Sequence, residues 1–419
     1  MNASLTQYSP SPARGTFADG FEPVARTFAQ HLRRGEESGA GFVVYHRGQK
    51  VVDLYGGVSD AAGTPWEPDT RSVVFSSTKG LAAIALLLLH DRGQLEWDAP
   101  VATYWPGFAA AGKERMTVAT LLNHRGGLPF LSTPLDLDDC LDPSRRHLVT
   151  RALEQQAPAW KPDTDQGYHA ITWGMYVTEL FERVAGERMG AFLEREVFGP
   201  LGSDARLGTP PEFDARFATL IPPSTPSRVR RMLTAAIIAP ESAEGRVARA
   251  SIAPASIPRR AFLNPRIGKG DIRVYNDEPV RRAELPWGSA TATADGLARA
   301  YLPFANGGEH DGRRYVREAS LTPIYARLGW SERDRVLQKP VGWSHGFLKE
   351  ERHMFSPNPA SFGHAGMGGY LGWCDPIDGL AFGYVMNRMD WRVRSPRCIA
   401  LCRAIYDSAP VRDAQRRAS

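Results

Sequence analysis

A serine and a lysine three residues apart, Ser76 and Lys79 in Phe75-Ser76-Ser77-Thr78-Lys79-Gly80, have the makings of an activated nucleophile if a helix starts there. Residues at that spacing share one face of a helix, so an amine can sit beside a hydroxyl. A basic neighbour removes the hydroxyl proton, and the helix N-terminus favours the negative charge that develops. The motif alone is weak. With seven lysines in the chain, chance supplies roughly 0.4 S-x-x-K matches. Its context is stronger: Leu81 to Leu89 is apolar on every side, which describes a helix inside a core rather than on a surface. Nine apolar residues are too few to cross a bilayer. A rival nucleophile is Ser344 in Gly342-Trp343-Ser344-His345-Gly346, which matches G-x-S-x-G. That motif needs a buried strand before the serine and a helix directly after it. Here Lys339-Pro340 precedes it and a short polar stretch follows, so Ser344 is expected to be a strand residue. Ser356-Pro357-Asn358 reads as a turn. No H-E-x-x-H and no clustered His, Cys and Asp set points to a metal, and no cofactor motif is found.

The elements that must hold such a site can be read along the chain. Residues 1–16 read as a loose tail, and Phe17 to Arg34 has helical spacing. Gly41 to His46 and Lys50 to Gly56 flank a turn and read as a β-hairpin. Residues 144–199 are helical in period, broken by the irregular loop from Trp160 to His169. The stretch 205–285, rich in Pro, Arg and Ala, has no secure period and is expected to be an irregular covering segment. A helix follows over Ala294 to Asn306. Then come strand-like runs at Val341 to Leu348, Ser361 to Met367, Tyr370 to Cys374 and Leu380 to Asn387, and a helix near Ile399 to Tyr406. Strands at both ends of the chain imply a discontinuous α/β core, 17–100 with 286–408, interrupted by a helical domain at 101–204 and ending in a tail at 409–419.

The chain has 419 residues, is 42% hydrophobic and 23% charged, and carries a formal +5. This composition describes a globular protein with a large core. No basic stripe interleaved with aromatics appears, so no nucleic-acid partner is expected. No apolar leader is visible in MNASLTQYSPSPARGTF, and the four cysteines form no C-x-x-C pair. The expectation is a cytoplasmic protein without a membrane span.

Three stretches in order, Ser76-Ser77-Thr78-Lys79, Tyr168-His169 and His364-Ala365-Gly366, resemble the three motifs of the serine β-lactamase and penicillin-binding-protein superfamily. Among its members the chain looks most like family VIII carboxylesterases and class C β-lactamases. The likeness extends to Gln94 to Val101, Leu121 to Pro129 and Gly383 to Met389. It implies a β-lactamase/transpeptidase-like α/β fold, an antiparallel sheet flanked by helices with an inserted, mostly helical domain. It also implies Tyr168 as the partner of Lys79. A phenol with a pKa near ~10 acts as a base at neutral pH only beside a cation, so either Tyr168 or Lys79 could take the Ser76 proton. By the same resemblance the oxyanion hole would use the backbone N–H groups of Ser76 and Met367.

His364 departs from the Lys-Thr-Gly of penicillin-recognising members, and a neutral histidine cannot replace that cation. Ala170 stands where β-lactamases usually have Asn. Both departures turn the expectation from β-lactams towards esters. His364, Gly366, His169, Trp287, Tyr370 and Trp373 are the candidate substrate-binding residues. The expected activity is a carboxylesterase acting on small short-acyl esters through a Ser76 acyl-enzyme. The alternatives are an acyltransferase to another alcohol, a weak β-lactamase, or a non-catalytic scaffold that retains the fold.

Overall fold

The computed structural model describes residues 5–8, 12–267, 271–349 and 351–418. Its centre is a ten-stranded sheet. The strands are β1 (Leu5–Tyr8), β2 (Ala13–Ala18), β3 (Gly39–His46), β4 (Gln49–Gly57), β5 (Gly329–Ser331), β6 (Val341–Ser344), β7 (Phe347–Lys349), β8 (Phe362–Ala365), β9 (Leu371–Asp375) and β10 (Leu380–Met386). They lie in the order β1-β2-β4-β3-β10-β9-β8-β7-β6-β5, every neighbouring pair antiparallel. The two halves of the chain join at β3 and β10, where Val43 faces Gly383 and Phe42 faces Tyr384.

β9 and β10 are buried along their whole length. This explains why they read as unbroken apolar runs, since a strand covered on both faces has no polar side to alternate with. Gly372 and Gly383 turn towards helix α7 (Ala294–Ala305), leaving no room for a Cβ against Leu297 and the Ala294 carbonyl. Alternation turns Tyr384 to the other face. There its hydroxyl bonds Glu37, which is paired with Arg397 on α8 (Pro396–Tyr406). Helix α1 (Glu22–Arg33) packs on that side with α8.

Helix α2 (Ser77–Asp91) is the central helix, buried from Ser77 through Leu89. Each of its leucines contributes about 1.5–3 kcal/mol by leaving water. Gly80 lets α2 approach closely, because a Cβ there would meet the Tyr301 hydroxyl on α7 and the His364 Cβ on β8. The helical unit contains α3 (Arg146–Gln155) and α4 (Thr172–Ala185), as the periodicity predicts.

Three expectations need correction. The opening residues are not a loose tail through 16: β2 pairs with β4 from Ala13 to Phe17 and β1 pairs with β2. The helix predicted from Phe17 therefore starts only at Glu22. Residues 409–418 are a helix, α9, whose Val411 is buried against the body. The segment 205–285 is not irregular throughout, since it carries α5 (Thr225–Ile238) and α6 (Ala243–Ala250). No residue of α5 is buried, and a helix that does not pack inwards has no inward-facing period to read.

Candidate active site

Ser76 stands immediately before α2, and Phe75 before it has φ +46. That left-handed conformation in a bulky residue is held by packing of the Phe75 ring against Tyr275 and Tyr370, at 5.0 and 5.7 Å between centroids. The turn leaves Ser76 partly exposed while its neighbours on both sides are buried. Lys79, one turn on, points its Nζ at the Ser76 Oγ at 3.3 Å and donates to the Trp287 carbonyl at 3.0 Å.

The lysine is fully buried, and among the described residues no carboxylate pairs with it. Burial therefore pushes its pKa well below the usual 10.5, towards a neutral amine. Burial raises the Tyr168 pKa, more than its interaction with the Ser76 side chain lowers it. Its ring lies 5.1 Å from Lys79 Nζ. The site thus favours the neutral forms of both groups, an amine and a phenol meeting at one hydroxyl.

Tyr168 is held from three sides by residues absent from the list of candidates. Its ring stacks on Trp343, with centroids 5.4 Å apart and planes 2° apart. Its backbone N–H donates to Asp334 at 3.0 Å. The buried Asp334 carboxylate also accepts from the amides of Val336 and Leu337 and from Gln166, so it fastens the loop carrying Tyr168 to the segment before β6. His124, with φ +59, packs edge-on against Tyr168 and accepts the His169 N–H at Nδ1. Trp343 was visible in the sequence only as part of the rival G-x-S-x-G match. A further buried group, Lys339 and Arg394 around Glu351, lies close enough for Arg394 and Glu351 to act electrostatically on Tyr168.

On β8, His364 is buried with its Nδ1 2.9 Å from the Ala365 carbonyl. Desolvation first, then the nearby Lys79, drives its pKa well below 6.5, so it is neutral at pH 7. Gly366 sits where a Cβ would come within 2.4 Å of the Val74 carbonyl and 3.2 Å of Ser77 Oγ. Only glycine allows the end of β8 to lie this close to the turn carrying Ser76. Met367 follows, exposed. Among the described residues neither the Ser76 nor the Met367 amide N–H has a hydrogen-bond acceptor.

The remaining candidates divide. Trp287 lies in the site wall, its carbonyl on Lys79 and its indole N–H on the Tyr275 hydroxyl. Tyr370 is buried beneath Phe75 with its hydroxyl on Ser72. Trp373 is buried against Phe355. His169 accepts the Leu128 N–H at Nε2 and is fully buried. These three are packing residues, because their side chains are buried in the fold and present no surface to a substrate, although His169 Nδ1 and Trp373 Nε1 have no hydrogen-bond partner among the described residues. The rival Ser344 is fully buried and lies at the end of β6. The turn at His345 and Gly346 leads into β7 rather than a helix. Ser356 and Asn358 bond Asp375 and Asp378 in a turn.

Comparison with known proteins agrees with this geometry. The Beta-lactamase family model matches residues 24–401. The chain belongs to the beta-lactamase family. Within it, the chain is 34% identical over 382 residues to the esterase/beta-lactamase LipL of Mycobacterium tuberculosis, covering 88% of this chain and 81% of that protein. The crystal structure of a family VIII carboxylesterase superposes with a TM-score of 0.81 at 32% identity, covering 94% of this chain and 99% of the other. A penicillin-binding-protein homologue from Caulobacter crescentus does so with the same TM-score and coverage at 31% identity. As a member of the beta-lactamase family with this fold, the chain is a serine hydrolase. Among the described residues no group of three His, Cys, Asp or Glu could hold a metal ion, and no helix is long and apolar enough to cross a membrane.

Proposed function

We propose that the protein is a carboxylesterase that cleaves small short-acyl esters through an acyl-enzyme on Ser76. The observation that carries this reading is the Ser76 hydroxyl held between a Lys79 amine without a counter-ion and the Tyr168 phenol. Neutral Lys79 takes the Ser76 proton as Oγ attacks the ester carbonyl carbon. The oxyanion that forms is received by the unengaged amides of Ser76 and Met367, each such donor being worth ~10²–10³ in rate. As the C–O bond breaks, Tyr168 gives its proton to the departing alkoxide and regains one from the Lys79 ammonium. Water then attacks the acyl-enzyme by the same route in reverse, releasing the acid and restoring Ser76.

Two features favour esters over β-lactams. His364 is neutral where a cation would meet the β-lactam carboxylate, and the family VIII structure bears a carboxylesterase name.

The test is turnover of p-nitrophenyl acetate and butyrate by the wild type, Ser76→Ala and Ser344→Ala, with nitrocefin in parallel. Ester turnover lost only in Ser76→Ala, with nitrocefin cleaved much more slowly, is the expected result. Faster nitrocefin than ester turnover would favour a β-lactamase. Acylation without hydrolysis, relieved by an added alcohol, would favour an acyltransferase.

A further inference from the structure

Seven of the eleven exposed large apolar side chains among the described residues lie between 229 and 263. Three of them, Val229, Leu233 and Ile237, recur every four residues on α5 and so form one stripe along the helix. At 51, 56 and 79% exposed they are left largely uncovered by the described residues, and Ile238 and Ile252 beside them are 78 and 71% exposed. A stripe of this kind on a water-facing helix marks an interaction surface.

The charge around it says what it meets. Residues 222–266 contain eight arginines and two glutamates, a formal +6, while the whole chain carries +5. The rest of the protein is therefore close to neutral, and this segment holds the entire excess. Arg228 and Arg230 flank the apolar stripe, and among the described residues they have no acidic partner, whereas Arg249 is paired with Glu241. A two-fold contact between copies would set +6 against +6. An apolar stripe bordered by unpaired arginines is the pattern of a helix that lies in the headgroup region of an anionic bilayer.

The segment is mounted on the walls of the active site. It leaves the body at Ile221, which bonds Asn387, and returns at Tyr275, whose ring packs on Phe75 beside the nucleophile. Asn264 donates to the Leu131 and Thr133 carbonyls, and Arg246 donates to the Gln338 carbonyl, four residues from the Asp334 that fastens Tyr168.

We propose that residues 222–266 form a docking surface for an anionic lipid–water interface, seating the enzyme where lipid-dissolved esters are concentrated. Docking is independent of the esterase reading, because it is measured by partitioning and not by turnover. The full chain is sedimented with vesicles of phosphatidylcholine alone and of phosphatidylcholine with phosphatidylglycerol, at low and high salt. The expected result is binding to the anionic vesicles that salt reverses, weakened about tenfold or more by either Leu233→Glu with Ile237→Glu or Arg228→Glu with Arg230→Glu. p-Nitrophenyl acetate turnover in vesicle-free buffer and the circular dichroism spectrum stay as in the wild type. Equal partitioning into both vesicle types, no partitioning, or variants that bind like the wild type would overturn the proposal. So would a dimer in light scattering that the Leu233→Glu and Ile237→Glu pair splits while vesicles capture nothing, which would assign the stripe to a second copy.

Discussion

Two serines in this molecule have a basic side chain at the same distance. Ser76 Oγ lies 3.3 Å from Lys79 Nζ, and Ser344 Oγ lies 3.3 Å from His345 Nδ1. The difference lies in what surrounds each pair. Ser76 is partly exposed at the start of a long helix, and among the described residues its own amide and that of Met367 have no acceptor. Ser344 is sealed in the sheet, its hydroxyl also directed at the Pro323 carbonyl, and the chain turns into another strand instead of a helix. A base within reach of a hydroxyl is thus not sufficient for a nucleophile. Access, unengaged donors and a second proton carrier separate the two. The Ser344 hairpin still serves the site, since Trp343 next to it is the platform on which Tyr168 stacks.

The sharpest way to break this contrast is Ser76→Ala, which should lower kcat by roughly 10⁵–10⁶ and abolish labelling by a reactive ester probe in mass spectrometry. Retained labelling would move the nucleophile elsewhere. The next concerns Lys79. Burial depresses its pKa and so raises the share of neutral amine able to accept a proton. Acidification through that lowered pKa converts it to an ammonium, so kcat/KM should fall on the acid side and stay level as pH rises above it. Lys79→Arg, which is charged at every accessible pH, should remove activity across the profile. A rate that falls with alkaline pH instead would contradict the neutral-amine assignment.

Tyr168→Phe keeps the stacking but removes the proton carrier and should cost ~10²–10⁴ in kcat, read with a poor alcohol leaving group. Asp334→Ala leaves three buried amides without their acceptor, which should destabilise the fold by about 1–3 kcal/mol in urea unfolding and lower kcat by loosening Tyr168. Smallest of all, Ser344→Ala should leave kcat within about twofold and shift stability by less than about 1.5 kcal/mol.

How much could be read in the sequence varied with how locally each feature is encoded. The strands from Val341 to Asn387 and helix α2 were legible because burial on every side leaves unbroken apolar runs. The edge strand β1 and helix α5 were not. β1 depends on pairing with β2, and α5 has no fully buried residue, so neither imposes a strong period on its residues. The substrate-facing list was the least accurate part. His169, Tyr370 and Trp373 neighbour catalytic motifs in sequence, yet their side chains turn into the core.

By itself the sequence determined that a hydroxyl and an amine would share one helix face. Ser76 and Lys79 are three residues apart at a helix start, and that spacing is enough to put them on one face. It also determined the family, through motifs spread across the chain. Only the tertiary structure decided which groups carry charge and which amides are free. Burial lowers the Lys79 pKa, and among the described residues its amine meets the carbonyl of Trp287, 208 residues away, and no paired carboxylate. The end of β8 reaches the turn that carries Ser76 because Gly366 lets it close on the Val74 carbonyl. Burial and long-range approach depend on the whole packed chain, and no local pattern of residues records them.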